Sequence, residues 1–186
     1  MSRLDYVSLK NCRDEWRWNN DAGDLFSAKQ LSSVESDRGN TASKDGLVHR
    51  GVPLPDTLCP RYGIQVENPN HIFISCLWAK SIWWNIVTWM RNSFPSNCNS
   101  LKELIDFLKE CPGSKVWKRM VYTVCMATVW RIWGARNLKT FEDTFVPVRE
   151  TVEFIKEDVF FWINNRTKFK DLSWENRIDF NVVNLL

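Results

Sequence analysis

Cys59, His71 and Cys76 stand in one short segment, LCPRYGIQVENPNHIFISC over 58–76, and all three are residue types that bind soft or borderline metal ions. A structural zinc site takes four such ligands in a tetrahedron, commonly two Cys held three apart by a tight turn and a second pair from a neighbouring element. The second pair is present, with His71 and Cys76 flanking the apolar Ile72, Phe73 and Ile74. The first pair is half present. The position three after Cys59 holds Tyr62, whose neutral phenol, with an ordinary pKa of about 10, is a poor ligand beside a thiolate. A full site in a zinc-finger peptide contributes roughly 10–16 kcal/mol of apparent binding energy at neutral pH, so losing one strong donor removes much of that advantage. The fourth position is left to water, Asp56, Glu67 or the distant thiols Cys98 and Cys111, and weakly bound zinc and lost zinc are both open readings. An open position is also the pattern of catalytic zinc, but no general base is placed beside an organised pocket.

A second group of residues carries charge. Between Cys111 and Phe141 there are six basic residues, Lys115, Lys118, Arg119, Arg131, Arg136 and Lys139, and no acidic one. On an ideal helix at about 100° per residue, all but Arg131 fall within an arc of about 160° that also contains Trp133. Such a strip suits a phosphate backbone, because Lys and Arg displace counterions and an indole can stack on an exposed base. The alternative is an ordinary solvated helix face over a core of Met120, Val124 and Ala127, with the Trp residues buried. No Gly-rich phosphate loop, no Gly-x-Ser-x-Gly elbow and no adjacent Asp pair for two-metal chemistry occurs, so the chain is expected not to be an enzyme and to have no small-molecule substrate.

The elements that must position these groups are mainly helical. Ile82, Ile86 and Trp89 or Met90 recur at helical spacing and predict a helix over about 77–91, ended by Phe94-Pro95. SLKELIDFLKE predicts a second, with Leu101, Leu104, Ile105 and Leu108 on one face, Ser100 as N-cap and Cys111-Pro112-Gly113 as stop. A third is predicted over about 114–139, buried for most of its length because it is apolar nearly all round from Met120 to Trp133. Pro147 opens a fourth, in which Val152, Ile155, Val159 and Trp162 are spaced by three or four. Ahead of these, the alternation of Trp and polar residues in 1–27 suggests a β-hairpin, and 28–45 reads as a loop or disordered linker. The expectation is therefore a four-helix-rich domain over 46–170, with a degenerate zinc knuckle, a β-rich start and a polar tail over 171–186.

At 186 residues, 44% hydrophobic and 13% aromatic, the chain can bury a substantial core. A formal charge of +3 decides nothing about nucleic acid by itself. The first ten residues have no apolar signal core, and the longest apolar-rich run, Met120 to Trp133, is too short to cross a bilayer of roughly 30 Å and contains Arg131. These features predict an intracellular protein, nuclear or cytoplasmic rather than secreted, with no membrane partner and six Cys that serve as thiols or metal ligands.

Read in order, DEWRWNNDAGDLFSAK, GLVHRGVPLPDTLCP, ENPNHIFISCLWAKSIWWNIVTW and VWRIWGARNLKTF resemble the zinc-binding reverse transcriptase domain near the C-terminus of plant LINE-type, non-LTR retrotransposon polyproteins. The likeness covers about residues 12–170. It implies zinc on Cys59, His71 and Cys76, with Tyr62 where the family has its second Cys and Glu67 at an acidic position of the pattern. Trp130-Arg131-Ile132-Trp133 with Arg136-Asn137 matches a further motif. A helical segment usual between the first and second motifs is replaced here by the short polar run 30–45. The polymerase, endonuclease and ribonuclease H portions of such polyproteins are not in this chain. The resemblance thus implies a non-catalytic accessory domain that binds RNA or single-stranded DNA, with Lys115, Lys118, Arg119, Trp133, Arg136 and Lys139 as contacts. The other reading is a decayed relic, or a helical module that associates with itself or a partner without zinc.

Overall fold

Serine residues start three of the helices. Ser43 Oγ accepts from Gly46 N (3.2 Å), Ser100 Oγ from Glu103 N (3.2 Å) and Ser114 Oγ from Trp117 N (3.1 Å), each satisfying one amide that a helix start leaves free. Glu103 also reaches back to the Asn99 amide (2.9 Å), close to a capping box. The computed structural model describes residues 43–95 and 97–166. The hairpin expected in 1–27, the linker up to Ser43 and the tail over 171–186 lie outside the described residues.

Among the described residues there are five α-helices and one π-helical turn: α1 (Lys44–His49), the π-turn (His71–Ser75), α2 (Leu77–Trp89), α3 (Leu101–Glu110), α4 (Lys115–Glu142) and α5 (Val148–Arg166). The mainly helical class expected from periodicity is what the described residues adopt. The four long helices start at or next to the residues expected, while α4 runs on to Glu142, three residues past the expected end. It stops where Asp143 turns left-handed at φ 51°. Helix α1 was not expected, because six residues are too few to express a period and Ser, Lys, Asp and Gly read as loop. Ser43, inside the run read as a loop or linker, is fully buried.

Helix α4 is the axis of the fold and packs against α2, α3, α5 and the π-turn. Val121, Val124, Cys125, Met126, Ala127, Thr128, Val129 and Ile132 are all buried, so α4 is enclosed on every side through its middle turns. Helix α5 presents Val152, Ile155, Val159 and Ile163 to it, and Asp158 receives Arg131 through Nε (2.5 Å) and Nη2 (2.7 Å). Helix α2 contributes Ile82, Trp83 and Ile86, none of them exposed, and the Trp83 indole donates to the Phe73 carbonyl at 2.7 Å. Burying an Ile or Leu side chain contributes about 1.5–3 kcal/mol, and this core carries many. No helix among the described residues is long and apolar enough to cross a membrane.

Candidate metal centre

The loop that carries Cys59 doubles back on itself. Glu67 N donates to Thr57 O, Cys59 N to Gln65 O and Gly63 N to Cys59 O, each at 2.8 Å, around an isolated antiparallel bridge between Leu58 and Val66. Gly63 takes φ +63°, a conformation that costs a side-chain-bearing residue more, and so closes the turn over Pro60-Arg61-Tyr62. His71 and Cys76 come from the π-turn that follows. In an α-helix residues five apart stand about 140° apart around the axis, which would divide this pair. The wider π-turn closes Cys76 N onto His71 O at 2.9 Å and so brings the two residues together.

The ligand atoms of Cys59, His71 and Cys76 all lie within 4.8 Å of one another, and all three residues are buried. The spacing expected to make a metal site does converge. The two sulfurs share a proton: the hydrogen bond from Cys76 pulls the Cys59 pKa down, and the same bond, with burial, pushes the Cys76 pKa up. Backbone amides of Arg61 and Tyr62 favour the Cys59 thiolate, and those of Ala79 and Trp78, in the first turn of α2, favour that of Cys76.

His71 tests whether a metal fits. Its Nδ1 lies 3.4 Å from Ser75 Oγ, while Nε2 is buried with no hydrogen-bond partner. An orphaned ring nitrogen costs free energy unless something occupies it, and metal-bound His commonly has this arrangement, one nitrogen on a partner and the other on the ion. The cavity lined by Cys59, His71, Cys76, Arg61, Glu67 and Arg136 measures about 20 Å³, room for one ion or water-sized group. The donor set and the space fit a zinc-like ion, for which these side chains supply two thiolates and an imidazole.

The fourth position is not filled from the other residues named for it. Tyr62 is 43% exposed, and burial of its phenol together with the nearby Cys76 raises its pKa, which keeps it protonated. Asp56 accepts from Lys44 Nζ and Leu58 N, both at 2.8 Å. Cys98 turns to the Ser100 carbonyl and Cys111 to that of Phe107, at the two ends of α3. Glu67 is 1% exposed and lines the cavity, but both its oxygens are engaged, by Arg136 Nε (3.1 Å) and Nη2 (2.5 Å) and by Lys44 N (3.0 Å).

That ion pair corrects the reading of the basic strip. Arg136, expected to contact nucleic acid, is 6% exposed and paired with Glu67. The arc that holds the cations also holds Val121, Cys125, Val129 and Ile132, and helices packed around α4 cover it. Trp133 is half-buried, tilted against Phe73 with ring centroids 6.2 Å apart, and Lys139 is paired with Asp143. Lys115, Lys118 and Arg119 remain exposed, at one end only. The helix was expected to be buried for most of its length; what the expectation lacked was that the cationic arc shares its face with buried apolar residues and that Arg136 turns inward to Glu67.

Arg61 is the site residue that sequence reasoning missed. Its guanidinium stacks over Trp78 (3.6 Å to the ring centroid) and Phe145 (4.8 Å), and Nη2 donates to the Ala135 carbonyl at 3.2 Å. Burial disfavours its charge, and Cys76, Tyr62 and Cys59 favour it. Its place two residues after Cys59 was the available signal. Comparison with family models, with curated proteins and with solved structures finds no match to this chain.

Proposed function

We propose that this chain is a non-catalytic, metal-organised accessory domain of the reverse-transcriptase zinc-binding type, acting on RNA or single-stranded DNA. The observation that carries the reading is the convergence of the buried Cys59, His71 and Cys76 on one small pocket, with an orphaned His71 nitrogen. The ion would tie the 57–67 loop to the start of α2 as a structural site does. The nucleic-acid part rests on Lys115, Lys118 and Arg119, exposed and without an ion-pair partner among the described residues. They occupy the start of α4, where the helix dipole disfavours positive charge, so local stability does not account for them.

Elemental analysis of the reduced protein tests the metal. One zinc per chain is expected, lost in Cys76→Ser and held more tightly in Tyr62→Cys; a chain that purifies folded and metal-free would sink the reading. A second reading, self-association without zinc, draws on the exposure of Phe141, Phe161 and Trp84. It requires the elution volume on size exclusion to fall as protein concentration rises.

A further inference from the structure

We infer that the centre formed by Cys59, His71 and Cys76 takes its fourth ligand from solution, a small exchangeable monoanion held beside the Arg61 guanidinium. The inference rests on the metal-binding part of the reading above and goes beyond it in naming what completes the site.

Charge comes first. Two thiolates cancel the charge of a divalent ion and a neutral imidazole adds none, while Glu67 and Arg136 neutralise each other. The Arg61 guanidinium is then one uncompensated positive charge at the cavity wall, an expensive arrangement away from water. Hydrogen bonding points the same way. Arg61 Nε and Nη1 are sealed from solvent and have no partner, although Nη2 is satisfied by Ala135. A small anion on the ion beside Arg61 would remove the excess charge and give these donors an acceptor.

Space and competition complete the argument. The cavity of about 20 Å³ is taken up by the ion itself but is open on one side, so a small ligand can reach the ion there and a bulky one cannot. Asp56 and Glu67 are committed elsewhere, and Tyr62 lies half in solvent. The substitution of Tyr for the knuckle's second Cys thus leaves a coordination position that opens toward a cation.

Cobalt(II), whose visible spectrum reports coordination number and ligand type, is loaded into the whole reduced chain in place of zinc and titrated with azide. Azide displaces bound water, and a saturable spectral change is expected. Arg61→Gln is expected to weaken azide by about ten-fold, the loss of roughly one charge-assisted hydrogen bond. Arg61→Lys keeps part of the response, and Tyr62→Cys, which supplies a third thiolate as the fourth ligand, abolishes it while still binding cobalt. If Arg61→Gln does not fold, the unmodified chain and Tyr62→Cys still decide the matter. Cobalt bound with a spectrum indifferent to azide would overturn the inference and leave the metal reading standing. Absence of any cobalt binding would overturn both.

Discussion

The buried pair of Glu67 and Arg136 gives the most direct test of how individual side chains hold the loop. Glu67→Gln leaves the Arg136 charge without a counter-ion in a sealed site and is expected to cost about 3–5 kcal/mol, read by urea unfolding. Glu67→Gln combined with Arg136→Met removes both charges and should recover most of that loss. If the double variant is as unstable as the sum of the two single changes, the pair is not the coupled unit described here. The candidate metal ligands could be found in the sequence because Cys and His are chemically distinctive and fall within 18 positions, from Cys59 to Cys76. Arg136 could not be placed so readily, since its partner is 69 residues away and nothing in the local pattern distinguishes an inward Arg from an outward one.

At the scale of elements, the conflict at the start of α4 yields a signed prediction. Lys118→Glu replaces an unfavourable charge near the positive end of the helix dipole and should stabilise the fold by about 0.3–1 kcal/mol at low salt. The same change should weaken binding of a single-stranded oligonucleotide and flatten its salt dependence, measured by fluorescence anisotropy. Binding unaltered by Lys118→Glu would remove this helix end from any phosphate contact. Long elements were legible because caps and periodicity agree: Ser100 and Ser114 cap the helices expected after them, and Val152, Ile155 and Val159 face the core. Helix α1 and the π-turn were not, since six and five residues are too short to carry a period, yet these two hold Glu67 and the ligand pair in place.

For the whole molecule, the enclosed middle of α4 sets behaviour in alkali. Burial pushes the Cys125 thiol up to about 12 from an ordinary 9.0, so its protonated form is favoured by folding. The stability this contributes is intact below about pH 9 and is lost as pH rises toward 12; Tyr122 and Cys98, also raised by burial, act in the same direction. Cys125→Ala should melt at a lower temperature at neutral pH, by about 1 kcal/mol of lost packing, and fall less steeply from pH 9 upward. A slope equal to that of the unmodified chain would mean Cys125 does not titrate within the core. The Arg61 contact to Ala135 and the Glu67 pair with Arg136 also fix an order of events during synthesis. Glu67 leaves the ribosome 69 residues ahead of Arg136, an interval of roughly 3–14 s at ordinary elongation rates. For most of it both thiols of the nascent loop are displayed without the helix that encloses them, so an ion, if the site takes one, has access before the site is enclosed.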